Sequence, residues 1–184
     1  ETAINVSSPN TKNLRDLQKP ETLEKILRDV NTINVSLKRK VPIFIKIAPD
    51  LNDSNVTEIL SVCEENNVSG LIATNTTINP KNLKNPNSFE GGLSGKPLFN
   101  QSNKILRLLA KRKNASTVLI GVGGIFSASD IYEKIMLGAS AVQIYTGFVY
   151  NGPMHIKRME MELKSLLLSD GYNSIDGAVG ALIR

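Results

Sequence analysis

Tryptophan is absent from the 184 residues, cysteine and histidine occur once each, and aromatic residues make up only 5% of the chain. The lone cysteine, Cys63, cannot close an intramolecular disulfide, and with His155 it falls short of a His/Cys metal site, so structural zinc is not expected. That usage fits a reducing compartment. No apolar run approaches the roughly 18 residues that span a bilayer, and Glu1 to Asn5 lack the basic and apolar regions of a targeting peptide. Hydrophobic residues, at 41%, are too many for a disordered chain. A chain of this size buries roughly 70% of the surface it exposes when unfolded, enough for one core without covalent staples.

Lysine and arginine number 22 against 17 aspartates and glutamates, a net charge of +5. The excess gathers at Lys38-Arg39-Lys40 and Lys111-Arg112-Lys113, each after a helical pattern and before an apolar run. Cations there suit the partial negative charge of a helix carboxyl end. No aromatics are interleaved with them, so base-stacking platforms are poorly supplied and nucleic acid is not an expected partner.

Five runs are nearly continuous in apolar residues, as buried parallel strands are: Ala3 to Val6, Ile43 to Ile47, Leu71 to Ala73, Val118 to Val122 and Ala141 to Tyr145. Helical periods lie between them, with Leu23, Ile26, Leu27, Val30, Ile33 and Leu37 on one face, Val56, Ile59, Leu60 and Cys63 on another, and Ile105, Leu106, Leu108 and Leu109 on a third. Asp53 or Ser54 can cap the second helix, and Ser127 with Asp130 resembles a capping box. After the last strand, Gly152-Pro153 opens a helix whose apolar face holds Met154, Met159, Leu163, Leu166 and Leu167. Alternation of this kind predicts an α/β fold with a parallel sheet.

At the carboxyl end of each run, apolar residues give way to polar residues or glycine, and in parallel α/β folds these ends share the rim where ligands bind. Gly121, Gly123 and Gly124 let backbone amides approach a phosphate, although glycines at strand ends also serve tight packing. Lys46, inside Ile43-Phe44-Ile45-Lys46-Ile47, is costly to bury without an anion or polar ligand; the alternative is a lysine snorkelling to solvent. Asn5, Asn10 and Asn75 offer amide donors and acceptors to a planar ligand, or stand as turn residues. The stretch Thr77 to Leu98 is long enough to serve as a flap. Ser8 is a candidate for proton chemistry, but a Ser-His-Asp triad is improbable, because His155 lies in a surface helix context beyond the last strand.

Several linked motifs resemble dihydroorotate dehydrogenase of the membrane-associated, quinone-using class. They are Asn5-Val6-Ser7-Ser8-Pro9-Asn10-Thr11, Leu14-Arg15, Lys46 to Leu51, Gly70-Leu71-Ile72, Thr74-Asn75-Thr76-Thr77, Gly91 to Leu98, Gly121-Val122-Gly123-Gly124 and Gln143 to Thr146. The resemblance implies an FMN-binding (β/α)8 TIM barrel of roughly 250 residues, of which residues 1–184 are the carboxyl-terminal portion, about the last five βα units of one domain. It implies oxidation of dihydroorotate to orotate in pyrimidine biosynthesis, with Ser8 removing the C5 proton while hydride leaves C6 for N5 of FMN. Ser8, where the soluble class has cysteine, assigns the chain to the quinone-using class; a flavin barrel using fumarate, or a non-catalytic phosphate-ligand module, is the alternative.

By the same resemblance Asn5, Ser8, Asn10, Asn75 and Thr76 hold the substrate, and Asn5 also touches the flavin. Lys46, Thr74, Ser94, Gly95, Gly123, Gly124, Tyr145 and Thr146 surround FMN, and the loop after Ser8 closes as a lid. A membrane-associating region would precede residue 1, placing the enzyme at the mitochondrial inner membrane in a eukaryote or the cytoplasmic membrane in a bacterium. One departure is Asn13, where the family usually has glycine; asparagine tolerates the left-handed backbone such a turn needs.

Overall fold

The computed structural model describes residues 2–79 and 91–183. Five strands form one parallel sheet in sequential order: β1 (Thr2–Asn5), β2 (Ile43–Ile47), β3 (Gly70–Ala73), β4 (Val118–Val122) and β5 (Ala141–Gln143). The registers Asn5↔Lys46, Ile47↔Ala73 and Val122↔Gln143 bring all five carboxyl ends to one edge, as the run pattern predicts. The strands differ in detail from that pattern: β1 stops one residue before Val6, and β5 ends at Gln143 rather than Tyr145. At both places the chain turns into the loops that carry polar residues.

Helices α1 (Pro20–Ser36), α2 (Asp53–Glu65) and α3 (Phe99–Arg112) cover one sheet face. Their apolar positions, Leu23 and Leu27, Val56, Ile59 and Cys63, and Ile105, Leu106 and Leu109, pack on Ile45, Ile47, Leu71 and Leu119 in a fully buried core. Each such side chain contributes roughly 1.5–3 kcal/mol through burial. A second cluster joins α4 (Ala128–Met136), α6 (Pro153–Ser169) and α7 (Ile175–Ala178) around Ile131, Ile135, Met159 and Leu167. The opposite face of the sheet holds a small cluster of Phe44, Ile72 and Ile120. That is the alternation expected when a parallel sheet has an inside and an outside.

The Ser127–Asp130 capping box at α4 forms as expected, Asp130 N–H donating to Ser127 Oγ at 3.2 Å and Ser127 N–H to Asp130 Oδ2 at 2.9 Å. Helix α2 is capped differently. Asn52 Oδ1 accepts from the Asn55 N–H at 2.8 Å, so the cap lies one residue before Asp53 and two before Ser54. Lys111 and Arg112 occupy the last turn of α3, whereas Lys38, Arg39 and Lys40 lie beyond the end of α1 and do not belong to its final turn. Met154 is 73% exposed and so does not join the α6 apolar face. His155 is half-buried instead of a surface residue: its Nε2–H donates to the Phe126 carbonyl at 2.8 Å and ties α6 to the loop after β4. No described helix is long and apolar enough to cross a membrane.

Candidate active site

The carboxyl ends of β2 to β5 and the loops after them line an open cleft of about 240 Å³, somewhat below the roughly 300–1,000 Å³ typical of complete small-molecule sites. Lys46, Thr74, Asn75, Thr76, Ser94, Gly95, Gly123, Gly124, Tyr145 and Thr146 all line it. A larger hollow lies at the amino ends of the strands, lined by Pro42, Phe44, Glu64, Ser69 and Val118. It lacks a glycine turn and any cation, and parallel sheets bind ligands at the other end.

Lys46 reaches the cleft because strand alternation puts Ile45 and Ile47 in the helix-covered core and residue 46 on the opposite face. No described side chain pairs with its ammonium. Burial lowers its pKa from the ordinary lysine value of 10.5, the response of a cation that has lost water without gaining a counter-charge. An anionic ligand edge would supply that charge.

Across the cleft the turn after β4 places Gly123 and Gly124 at φ 108° and 74°, conformations L side chains rarely adopt. A Cβ on Gly124 would lie 2.5 Å from Phe99 Cβ and 2.7 Å from its Cα, so the turn is seated against the start of α3 with only backbone facing inward. Such a surface suits a phosphate or another close-packed anion. Thr146 Oγ1 donates to Ser94 Oγ at 2.8 Å, joining the loop after β5 to the segment that follows residue 90. Tyr145 stands at the mouth, 77% exposed, and with Phe148, Val149 and Tyr150 of α5 (Thr146–Asn151) makes an exposed apolar margin.

Asn5, Ser8 and Asn10 do not line the cleft itself; they sit on β1 and the loop after it, alongside Asn75. Asn75 Nδ2 donates to Asn5 Oδ1 and to Ser7 Oγ, both at 3.1 Å, and Asn75 Oδ1 accepts from the Thr76 N–H at 2.8 Å. The Asn75 amine is thus committed, while the Asn5 amine makes no hydrogen bond with a described residue. Ser7, wholly buried, is the link that the sequence reading missed; it donates from Oγ to Asn5 Oδ1 at 3.1 Å. Ser8 Oγ accepts the Asn10 N–H at 3.3 Å and has no histidine or carboxylate partner among the described residues.

Behind these loops lies another group that went unassigned. Arg15 forms an ion pair with Asp50, and Asp50 also accepts from Thr77 Oγ1, Ile78 N–H and Gln101 Nε2. Burial alone would raise the Asp50 pKa, but those hydrogen bonds together outweigh it and hold the carboxyl below 3.8. Asn13 adopts φ 62°, ψ 4°, the left-handed turn for which glycine is usual. Thr77 and Leu93 exchange two backbone hydrogen bonds, closing the base of the proposed flap. Residues 80–90 of that flap lie outside the described residues.

The dihydroorotate dehydrogenase family model matches residues 1–167. The dihydroorotate dehydrogenase (quinone) of Christiangramia forsetii is 48% identical over 87% of this chain and 47% of its own length, and that of Cereibacter sphaeroides is 46% identical over 96% and 50%. Among solved structures, Eimeria tenella DHODH in complex with ferulenol superposes with a TM-score of 0.94 at 35% identity, covering 99% of this chain and 54% of that one. The ligand-free form of the same enzyme gives 0.92. The chain spans about half the length of these relatives. Its five βα units therefore correspond to part of a TIM barrel.

Proposed function

The chain belongs to the dihydroorotate dehydrogenase family, and from that premise we propose that the protein oxidises dihydroorotate to orotate with FMN as cofactor and a quinone as final acceptor. Residues 1–184 are then the carboxyl-terminal portion of a single barrel domain. The observation that carries the reading is the cleft in which the Lys46 ammonium, without a counter-charge among the described residues, faces a glycine turn, Gly123-Gly124, beside the Asn5–Ser7–Asn75 cluster. These residues fit FMN: a flat anionic ring needs a cation at one edge, and its phosphate needs bare backbone at the other.

Bound FMN would supply the hydride acceptor for C6 of the substrate and the store of electrons for the second acceptor. Lys46 would balance negative charge at the ring's pyrimidine end. Thr74, Ser94, Gly95, Tyr145 and Thr146 would border the ring and ribityl chain, and Gly123 and Gly124 the phosphate. Asn5, Asn10, Asn75 and Thr76 would orient dihydroorotate through its amide edges and carboxylate. Ser8 Oγ would take the C5 proton as it releases its own to solvent, which its half-buried position permits. A quinone in place of fumarate as second substrate is favoured by the likeness to relatives named dihydroorotate dehydrogenase (quinone). Membrane association would come from a segment outside this chain, at the mitochondrial inner membrane or the bacterial cytoplasmic membrane according to source.

The test is to purify the full-length protein and assay it with each acceptor. Bound flavin that dihydroorotate bleaches and a quinone reoxidises supports the reading. Reoxidation by fumarate alone would reassign the acceptor, and flavin that dihydroorotate leaves oxidised would reduce the protein to a binding module.

A further inference from the structure

Three loops meet behind the site, and one side chain touches each of them. The Arg15 guanidinium donates from Nε to the Ser7 carbonyl at 3.1 Å, from Nη2 to the Thr76 carbonyl at 2.8 Å, and from Nη1 to Asp50 Oδ2 at 2.8 Å. Ser7 directly precedes Ser8, and Thr76 directly follows Asn75. Asp50 in turn receives Gln101 of α3 at 3.1 Å and the Ile78 N–H at 3.1 Å. Both members of the ion pair are largely shielded, with side chains 21% and 17% exposed.

The sheet does not need this pair. Strands β1, β2 and β3 are already joined by continuous parallel ladders, and Asn75 N–H reaches the Ile47 carbonyl at 2.8 Å without help from a side chain. What the guanidinium adds lies wholly beyond the strand ends, on two carbonyls adjacent to site residues. A planar fork with fixed donor directions sets their separation in a way that a single ammonium cannot.

We propose that Arg15 and Asp50 are a positioning pair that sets the distance between the Ser8 loop and the Asn75–Thr76 strap, and so aligns the proton acceptor with the bound substrate. This rests on the function proposed above. Asp50 orients the guanidinium; Arg15 holds the two loops; neither touches substrate. Misplacement of a reacting group by about 1 Å is enough to slow a step by about two orders of magnitude.

The experiment uses the flavin-loaded, full-length protein carrying Arg15→Lys, with Asp50→Asn as the milder second variant should the first fold poorly. Anaerobic flavin reduction by dihydroorotate gives the limiting rate and the substrate affinity, and amide hydrogen exchange gives loop order. The expected result for Arg15→Lys is retained flavin, a limiting rate lowered by tenfold or more, and affinity changed by less than that. Exchange should quicken across residues 8–13 and at Thr76 and Thr77, with the amides of β2 to β4 as protected as before. Asn at position 50 should give the same pattern at smaller amplitude. An unchanged limiting rate, or a lowered rate with unaltered exchange in both loops, overturns the proposal. Ser8→Ala serves as the control for the parent reading: if that variant reduces flavin normally the proton-transfer role fails, and loosened loops in Arg15→Lys would still show that the Arg15–Asp50 pair holds them.

Discussion

The two halves of the rim formed by the strand carboxyl ends are built from different materials. After β1, β2 and β3 the loops are stitched by side chains, with Asn5, Ser7, Arg15, Asp50 and Asn75 hydrogen-bonded to one another or to neighbouring carbonyls. After β4 the chain first offers glycine backbone, and after β5 Thr146 bonds to Ser94 across the cleft. Side-chain donors discriminate a small ring by its edges, whereas backbone amides at positive φ accept a charged group at close range and read little else. The first half is therefore suited to the substrate and the second to a phosphate, and the two should fail in different ways when altered.

The largest effect is expected on the glycine side. Gly124→Ala puts a methyl into Phe99 and forces φ 74° on an L residue, costing about 3 kcal/mol of stability together with most flavin retention. Thermal melting and flavin absorbance of the purified variant measure both. On the side-chain half, Asp50→Ala leaves Arg15, Gln101 and the Ile78 N–H without their shared acceptor, at a cost of about 2 kcal/mol. Because the folded Asp50 pKa lies below 3.8, its stabilisation is present above that value and is lost as pH falls through the folded pKa. The gap in melting temperature between wild type and Asp50→Asn should accordingly close in acid.

Between the halves sits Lys134, wholly buried on α4, donating to Ser102 Oγ at 2.7 Å and Asn103 Oδ1 at 2.6 Å. Burial pushes its pKa down to about 8, against weaker opposing effects of Glu133 and Asp130. Between pH 8 and its free value of 10.5 the unfolded chain holds a proton that the folded chain has released, so stability from this group rises with pH. Relative to Lys134→Met, wild type should gain about 1–2 kcal/mol between pH 8 and 9.5, read by denaturant melts. The smallest effect concerns the lid turn. Asn13→Ala should cost about 1 kcal/mol because φ is 62° there, and Asn13→Gly should cost nothing measurable.

Much of this was legible in the residues. Runs such as Ile43–Ile47 announce buried parallel strands because both faces are covered, and one polar residue at each strand end marked the rim. The strand ends were less legible, since Val6 and Ile144 are as apolar as the residues the ladder uses and only hydrogen-bond partners decide where pairing stops. The α2 cap was ambiguous because Asn52, Asp53 and Ser54 all carry suitable oxygens. Met154 kept the helical spacing of an apolar face, yet no described element packs over it. Ser7 and the Arg15–Asp50 pair were hidden for another reason: the bonds Arg15–Asp50, Arg15–Thr76 and Ser7–Asn75 span 35, 61 and 68 residues, so only the folded sheet brings them together. Spacing along the chain carries no trace of such contacts.

The central claim is that Ser8 faces a substrate held at the Asn5–Asn75 cluster, beside a flavin in the Lys46–Gly124 cleft, and takes its proton. Anaerobic stopped-flow reduction of the bound flavin by dihydroorotate, in full-length wild type and Ser8→Ala, tests it directly. The account requires the variant to keep its flavin and lose at least 100-fold in the limiting rate, on the order of 2.7 kcal/mol of barrier. A Ser8→Ala protein that reduces its flavin at the wild-type rate would contradict it.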